Sequence, residues 1–253
     1  MLAVGVALLL PDGKVAIYLS VRHNLFVMSN YYHSIPKTAR PPELRGLWDG
    51  PVWGETPFLG IDCFRPEGTS HRPLVRCKLL YDDSHLYGLF LVQDRYVRCI
   101  HTGFQVPVYE DSCVELFVQP RPDKGYFNFE FNCGGALLAS YVTDPTRING
   151  RVAGAMLLSR AEGRQIAIYG SLPPIVEYEI EDEVTWSLEF AIPLALLHNY
   201  AGSLGRVESQ EWRGNLYKCG NKTSHPHWAS WSPLSDRNFH APRDFGMLRL
   251  SAS

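Results

Sequence analysis

The segment Tyr126–Asn132, YFNFEFN, constrains the fold more than any other stretch of this sequence. Phe127, Phe129 and Phe131 fall on one side of a two-residue repeat, and Asn128 and Glu130 fall on the other. Period-two alternation is typical of a β-strand with two different faces. The phenylalanine face predicts contact with a core, and the other face predicts a polar environment.

The preceding segment, PVYEDSCVELFVQP from Pro107 to Pro120, alternates in the same way and is separated from the first by the turn residues RPDKG. If the turn closes a hairpin, Glu115 lies beside Asn128 and Glu130. A mid-strand carboxylate among apolar neighbours is costly unless it is paired or faces a wet groove. This pair of strands is therefore a candidate floor for a polar ligand, and the alternative is an ordinary solvated sheet face.

Other alternating segments follow one another with few helices between them. Leu74–Leu80 and His85–Val92 flank an Asp-Asp-Ser turn, and the one convincing helix is Ile192–Tyr200, with a proline in its first turn. Strands that succeed strands exclude a parallel α/β sheet. The prediction is an all-β protein: an antiparallel β-sandwich of jelly-roll or immunoglobulin-like type with one short helix.

We expect one sandwich domain over residues 41–253, preceded by an extension or lead-in over residues 1–40 in which Met28 is an alternative start. The apolar run at residues 2–10 is too short to span a bilayer, so no transmembrane segment is predicted. An extracellular or periplasmic location follows if the N-terminus is an atypical signal, and a cytoplasmic one follows otherwise.

Composition excludes some partners. The net charge of the 253 residues is −2 and no basic run is present, which argues against nucleic acid. The six cysteines include no CxxC pair, so a zinc ribbon is not expected, and buried reduced thiols are favoured over disulfides.

Polar and aromatic residues concentrate in two places: around Tyr109 and Glu115, and in residues 225–245, which contain Trp228 and Trp231. Sugars need this combination, because their C–H faces pack on aromatic rings while their hydroxyls bind carboxylates and amides. The alternative is that both tryptophans are core residues. Glu115 and Glu130 are also the two carboxylates that a glycosidase would require, although adjacent-strand acids are more often binding groups.

Metal ligation has weak support. His225 and His227 form an H-x-H, with Cys219 and His240 elsewhere, but a second close pair is missing. Acidic loops that contain calcium-type ligands occur at Asp82-Asp83, Glu110-Asp111 and Asp236, without EF-hand spacing.

The segments YEDSCVELFV, YFNFEFN, EWRGNLYKCG and SWSPLSDRNFHAPRDFGMLRL together resemble the family 9 carbohydrate-binding modules, which are related to the DOMON domains. The resemblance implies a jelly-roll sandwich, structural calcium and no organic cofactor. It also implies that a sugar is clamped between two aromatic rings, since xylanase-linked members use two tryptophans. The ligand-binding residues that it implies are Tyr109 and Trp231 as the rings, Glu115 as the hydroxyl acceptor, Glu130 where the family has an arginine, and Asn215 as a further polar contact. The strand alternation adds Asn128 to the predicted ligand-binding residues.

The sequence therefore predicts a non-catalytic carbohydrate-binding protein of carbohydrate catabolism, which holds a mono- or oligosaccharide end. Two alternatives come from other classes. One is a haem-binding DOMON-type electron carrier, for which Met156 with His101 or His198 would be the axial pair. The other is a glycoside hydrolase that acts on O-glycosyl bonds.

Overall fold

The structure is a computed structural model that describes residues 5–9, 15–19 and 31–252. The predicted alternative start at Met28 lies outside the described residues. Strands are numbered in chain order, and β1 (Gly5–Leu9) pairs with β2 (Val15–Leu19) in an antiparallel hairpin. In the described part of the chain, no helix is both long and apolar enough to cross a bilayer.

The two principal sheets stack on each other. The larger contains nine strands: β3 (Tyr32–Pro36), β5 (Cys63–Phe64), β9 (Cys113–Gln119), β10 (Tyr126–Asn132), β11 (Leu137–Val142), β14 (Ala155–Leu157), β18 (Glu211–Cys219), β19 (Trp228–Ser230) and β20 (Gly246–Ser251). Their spatial order is β14-β11-β10-β9-β18-β19-β5, and β20 also pairs with β18 and carries β3.

The smaller sheet has five strands: β4 (Phe58–Gly60), β6 (Leu74–Tyr81), β7 (His85–Asp94), β15 (Ala167–Gly170) and β17 (Val184–Pro193). Their order is β15-β17-β7-β6-β4, and every pairing is antiparallel. Two short pairs complete the strands: β8 (Val97–Cys99) with β16 (Val176–Ile180), and β12 (Arg147–Ile148) with β13 (Arg151–Val152). The predicted all-β sandwich is confirmed.

Helices are few. Helix α2 (Leu194–Ala201) corresponds to the predicted helix, and its buried leucines close one end of the core. Helix α1 (Arg160–Gly163) is a single turn with a capping box, in which Ser159 and Glu162 each bind the other's backbone N–H. It was not predicted, because four residues are too few to show helical periodicity. Two 3₁₀ turns lie at Val108–Glu110 and Pro242–Asp244.

The core lies between the two sheets and uses the alternation seen in the sequence. From the larger sheet, Phe127, Phe129 and Phe131 point inward and are fully buried. Phe131 stacks on Phe190 of the smaller sheet with ring centroids 5.1 Å apart. Burial of each such ring contributes about 2–3 kcal/mol through removal of apolar surface from water, so this face fixes the register of β10.

Strand β3 falls in the segment that the sequence assigned to the lead-in. It pairs in parallel with β20, from Tyr32 opposite Met247 to Pro36 opposite Ser251. Ile35 is completely buried in the main core. Residues 32–36 therefore form part of the sandwich, and this parallel pairing is an exception to an otherwise antiparallel sheet.

A buried ion pair joins the sheets. Lys218 on β18 and Asp94 on β7 have side chains with no solvent exposure, and their Nζ and Oδ2 atoms are 3.3 Å apart. His71 contacts the other carboxylate oxygen at 2.7 Å, and Lys218 Nζ also lies 2.7 Å from Nε2 of His227. Burial and the lysine keep the pKa of His227 near 3, so this histidine is neutral and its Nε2 accepts a hydrogen bond from the Lys218 ammonium group.

The outer face of the smaller sheet is covered by residues 40–57. Glu189 points outward from β17, and its carboxylate accepts the backbone N–H groups of Arg45 and Gly46 and the indole N–H of Trp53, at 2.7–2.9 Å. Lys78 on β6 donates to the carbonyl oxygens of Trp48 and Trp53. This face is therefore closed, and the outer face of the larger sheet is left for a ligand.

Candidate functional site

A groove of about 910 Å³ lies on the outer face of the larger sheet. Its floor comes from β9, β10 and β11, and its walls come from residues 105–109, 147–157 and 219–240. Clefts of this size are typical of small-molecule sites in proteins. The β9–β10 floor predicted from the sequence is thus a concave surface.

Two carboxylates form the centre of the floor. Glu115 and Glu130 are directly opposite each other in the antiparallel register of β9 and β10. Both are almost fully buried, at 3% and 6% exposure, and both line the groove. Asn128 donates to Oε1 of Glu130 at 2.6 Å, and the Ser140 hydroxyl donates to Asn128. The structure therefore brings together three of the predicted residues: Glu115, Asn128 and Glu130.

Burial makes these acids weak. It raises the pKa of Glu130 to about 7, although the amide of Asn128 and the charge of Arg147 act in the opposite direction. Burial, and then the neighbouring charge of Glu130, raise the pKa of Glu115 well above its usual range. Two carboxylates this close cannot both ionise cheaply, so the floor holds at least one proton at neutral pH.

The aromatic wall consists of Tyr109 and Trp228, which both line the groove. Tyr109 lies on the 3₁₀ turn and is 38% exposed. Asn221 connects the two residues: its backbone N–H donates to the carbonyl of Tyr109 at 3.1 Å, and its Oδ1 accepts the indole N–H of Trp228 at 2.7 Å. The Trp228 ring is further held by the guanidinium of Arg65, 5.1 Å from the ring centroid.

Trp231, predicted as a clamp ring, is not brought to the groove. It is 7% exposed, belongs to the main core and packs edge-on against Tyr31 with centroids 5.9 Å apart. The register explains the difference, because Trp228 pairs with Cys219, whose side chain faces the groove. A residue three positions further along a strand points to the opposite face, so Trp231 points to the core.

Asn215 is also not among the groove residues. Its amide is fully buried and donates to the carbonyl of Ser232, while its Oδ1 accepts the N–H groups of Ser232 and Leu216, each at 2.9 Å. These bonds fix residue 232 against β18. The Asn215 amide, which can both donate and accept, therefore has a structural role. Asn215 therefore presents no exposed polar atom for the ligand-binding role that was predicted for it.

Sequence reasoning did not find the arginines of the groove. Four arginines line it: Arg65, Arg147, Arg151 and Arg237. The resemblance had placed an acid, Glu130, where the family has its binding arginine. Arg147 is anchored by its Nη1 on the carbonyl of Gly150 at 2.9 Å, and its charge acts on both floor carboxylates. All four arginines come from loops or very short strands, which have no periodic signal in the sequence.

The acidic loops considered for calcium already hold donors and cations. Asp82 accepts N–H and O–H groups from Ser84, His85 and Tyr87, and Asp83 pairs with Lys37 at 2.6 Å.

The other two loops are similar. Asp111 is bound by Arg98, Asn132 and two backbone N–H groups, and Glu110 is bound by His101 and Lys222. Asp236 lies 3.6 Å from Arg243. Calcium needs several free oxygen ligands at one point, and these carboxylates do not fit it. Calcium binding remains a prediction without an assigned site.

The structure separates the histidines and the cysteine considered for an H-x-H metal site. His225 stacks on Tyr96 with centroids 3.5 Å apart, and His227 lies in the buried network with Lys218. His240 lies 2.7 Å from the Tyr126 hydroxyl, and Cys219 donates to Glu115. Of the proposed haem ligands, His101 contacts Glu110 at 3.0 Å and Met156 is 46% exposed on the edge strand β14. Neither arrangement favours those alternatives.

Comparison with known proteins identifies the class of fold and then the family. The sequence model described as "Carbohydrate-binding family 9" matches residues 54–250. The chain therefore belongs to carbohydrate-binding family 9, as the resemblance implied. Among curated proteins, none matches this sequence significantly.

Solved structures agree with this assignment. A protein from Bacteroides uniformis, provisionally described as carbohydrate-binding, is 30% identical with a TM-score of 0.73, over 87% of this chain and 98% of that one. Two structures of a family 9 carbohydrate-binding module from Caldicellulosiruptor kristjanssonii share the fold. The glucose complex has 14% identity and a TM-score of 0.54, over 87% of this chain and 97% of that one. The cellotriose complex has 13% identity and a TM-score of 0.53, over 88% of this chain and 95% of that one.

Proposed function

We propose that this protein binds carbohydrate without catalysis and that the groove above β9 and β10 holds a mono- or oligosaccharide end. The observation that carries the proposal is one concave surface that is lined by buried carboxylates, two aromatic rings and arginines. Family membership supports the general class of ligand. The related module solved with glucose and with cellotriose suggests glucose-containing sugars as first ligands to test.

The floor supplies the polar half of the recognition. Glu115 and Glu130 present acceptor oxygens for sugar hydroxyls, and a protonated member of the pair also donates. Arg147 and Arg237 supply donors from the wall. Hydrogen bonds to charged groups are stronger than neutral ones, so these four side chains discriminate between hydroxyl arrangements.

The wall supplies the apolar half. Asn221 holds the Trp228 ring through its indole N–H and the backbone of Tyr109 through its carbonyl, so the Trp228 ring is ordered before a ligand arrives. A preordered ring binds a sugar face without a large loss of side-chain entropy. In this arrangement Trp228 takes the place that the sequence gave to Trp231, beside Tyr109.

The geometry favours binding over hydrolysis. Glycosidases flank the scissile bond with two carboxyl groups, whereas Glu115 and Glu130 are neighbours on one floor, directly opposite in a strand pair. Both therefore approach a ligand from the same side. A sugar above them has no second acid on its other face from this pair.

Isothermal titration calorimetry tests the proposal, with glucose, cellotriose, and xylose and mannose oligosaccharides as ligands. We expect measurable heat with at least one sugar, and its loss in Trp228→Ala and in Glu115→Gln. Trp48→Ala is the matched control, since Trp48 lies on the covered face of the other sheet. If no sugar in the panel binds, or if Trp228→Ala binds as tightly as the wild type, the proposed site is incorrect.

A further inference from the structure

A cluster of two thiols and one carboxylate lies at one end of the groove floor. Cys113 on β9 and Cys219 on β18 are directly opposite in the antiparallel register, and their thiols hydrogen-bond to each other. Cys219 Sγ also donates to Oε1 of Glu115 at 3.2 Å. The three potential ligand atoms all lie within 4.8 Å of one another.

We propose that Cys113, Glu115 and Cys219 form a binding site for a thiophilic divalent cation of the Zn²⁺ and Cd²⁺ class. The site shares Glu115 with the proposed sugar groove, but it depends on the two thiols and is tested without any sugar, so its failure would leave the sugar-binding proposal standing. It also differs from the calcium sites expected from the family resemblance, because calcium takes oxygen ligands and thiolates select softer metals.

The distances fit such an ion. Zn–S bonds of about 2.3 Å and Zn–O bonds of about 2.0–2.2 Å at a tetrahedral angle put sulfur and oxygen roughly 3.5 Å apart. The observed separation between Cys219 Sγ and Glu115 Oε1 is 3.2 Å. This pair of ligand atoms therefore needs to move apart by only a few tenths of an ångström to accept the metal, and the third ligand atom lies within 4.8 Å of both.

The surroundings also fit. Cys219 and Glu115 line the groove, while Cys113 is enclosed with Val108 and Ala136 in a small apolar cluster. One side of the site is dry, and the other opens where water or a sugar hydroxyl completes the coordination. Three protein ligands and one open position are the arrangement of exchangeable zinc sites rather than closed structural ones.

Charge supplies a further reason. Glu115 lies opposite Glu130, so two buried carboxylates and two thiols share a floor, and Arg147 is the cation whose charge acts on both carboxylates. A divalent ion would neutralise this excess of acidic groups. Binding breaks the two S–H bonds, and also the O–H bond of Glu115 where that carboxyl group is protonated. The sulfur and oxygen atoms keep their electron pairs for the metal and the protons leave to solvent, so the affinity rises with pH.

Titration of the purified, chelator-treated protein with Cd²⁺ tests the site, since thiolate–Cd bonds produce an ultraviolet charge-transfer band. We expect one Cd²⁺ per chain, loss of the band in Cys219→Ala and Cys113→Ala, and affinity weakened about 10- to 100-fold in Glu115→Gln. The matched control is Cys99→Ala, because Cys99 hydrogen-bonds with Cys133 in a second thiol pair outside the groove. It should keep the band.

Several results would overturn the site. They are the absence of a band at excess Cd²⁺, a band that survives Cys219→Ala, and a band that disappears in Cys99→Ala. Glu115→Gln preserves the shape of its side chain, so it tests the site even if a cysteine variant does not fold. An unchanged affinity in this variant would also contradict the proposal.

Discussion

Glu115 and Glu130 face each other across β9 and β10, so two acids from different strands share one buried surface. Their position explains why the polar face of YFNFEFN is not an ordinary solvated sheet face. Each acid makes the ionisation of the other more costly, and the groove above them is the place where a ligand relieves that cost. Stability and binding should therefore depend on pH in opposite senses.

The stability of the protein should fall as pH rises from 4.5 to 7. The pKa of Glu130 is about 7 in the folded protein against an ordinary value of 4.5, so the folded state binds more protons in this window. Its favourable contribution is complete below pH 4.5 and is lost by pH 7, with a total on the order of 3 kcal/mol. Urea unfolding of the wild type and of Glu130→Gln at pH 4.5, 6 and 7.5 measures it, and the variant should show the smaller decline. Glu43→Gln, an exposed acid, should behave as the wild type.

Sugar affinity, in contrast, should increase as pH rises through about 7, the pKa of Glu130. An ionised carboxylate is a stronger acceptor for hydroxyls than a neutral acid, and hydrogen bonds to charged groups contribute about 1.5–3 kcal/mol. We expect roughly tenfold tighter binding at pH 8 than at pH 6, measured by calorimetry with whichever sugar binds. Glu130→Gln should remove this pH dependence. A wild-type affinity that is constant over this range would show that Glu130 does not contact the ligand.

Substitution of Trp228 should mainly weaken sugar binding, whereas substitution of Trp231 should mainly lower the stability of the fold. Trp228→Ala should weaken sugar binding by about 2 kcal/mol, or roughly 30-fold, and change the free energy of unfolding little. Trp231→Ala should cost about 3–5 kcal/mol of stability, since it leaves a cavity in the core. Calorimetry and urea unfolding on both variants give the comparison. Equal stability losses would contradict the assignment of the two rings to opposite faces.

The buried ion pair between the sheets should be strongly coupled. Lys218→Met alone leaves the buried Asp94 carboxylate without its lysine partner and should destabilise the protein by about 3–5 kcal/mol. Asp94→Asn alone should have a similar effect because it leaves the ammonium group. The double variant should recover most of this loss, which a double-mutant cycle by chemical denaturation detects. Additive losses would mean that the two groups are stabilised independently.

Regular alternation is the reason why much of the fold and the floor was predictable. The pattern placed Glu115, Asn128 and Glu130 on one face and the phenylalanines on the other, and a turn of five residues made the hairpin. Period two is a local property, so residues in sequence order suffice to infer it. The β6–β7 hairpin was predictable in the same way.

The rest depends on long-range register. Trp228 begins strand β19, which has three residues, and Trp231 follows its end, so the strand is too short for its faces to be assigned from the sequence. The pairing of Trp228 with Cys219 determines which face each tryptophan occupies, and strand pairing is not a local property of the sequence. The groove arginines likewise reach the site because loops fold over the sheet, and hydrogen bonds of Arg147 with Gly150 and Asn238 hold one of them there.

Because residues 40–57 cover the smaller sheet, the two sheets have different roles: the smaller supports the fold and the larger presents the groove. With Glu189 and Lys78 both engaged by that segment, the five-stranded layer acts as a rigid backing. Ligand specificity then depends entirely on the side chains and loops of the larger sheet. A library randomised at groove-facing positions should consequently yield new ligand preferences from an unchanged scaffold, which makes this sandwich a suitable starting point for engineered lectins.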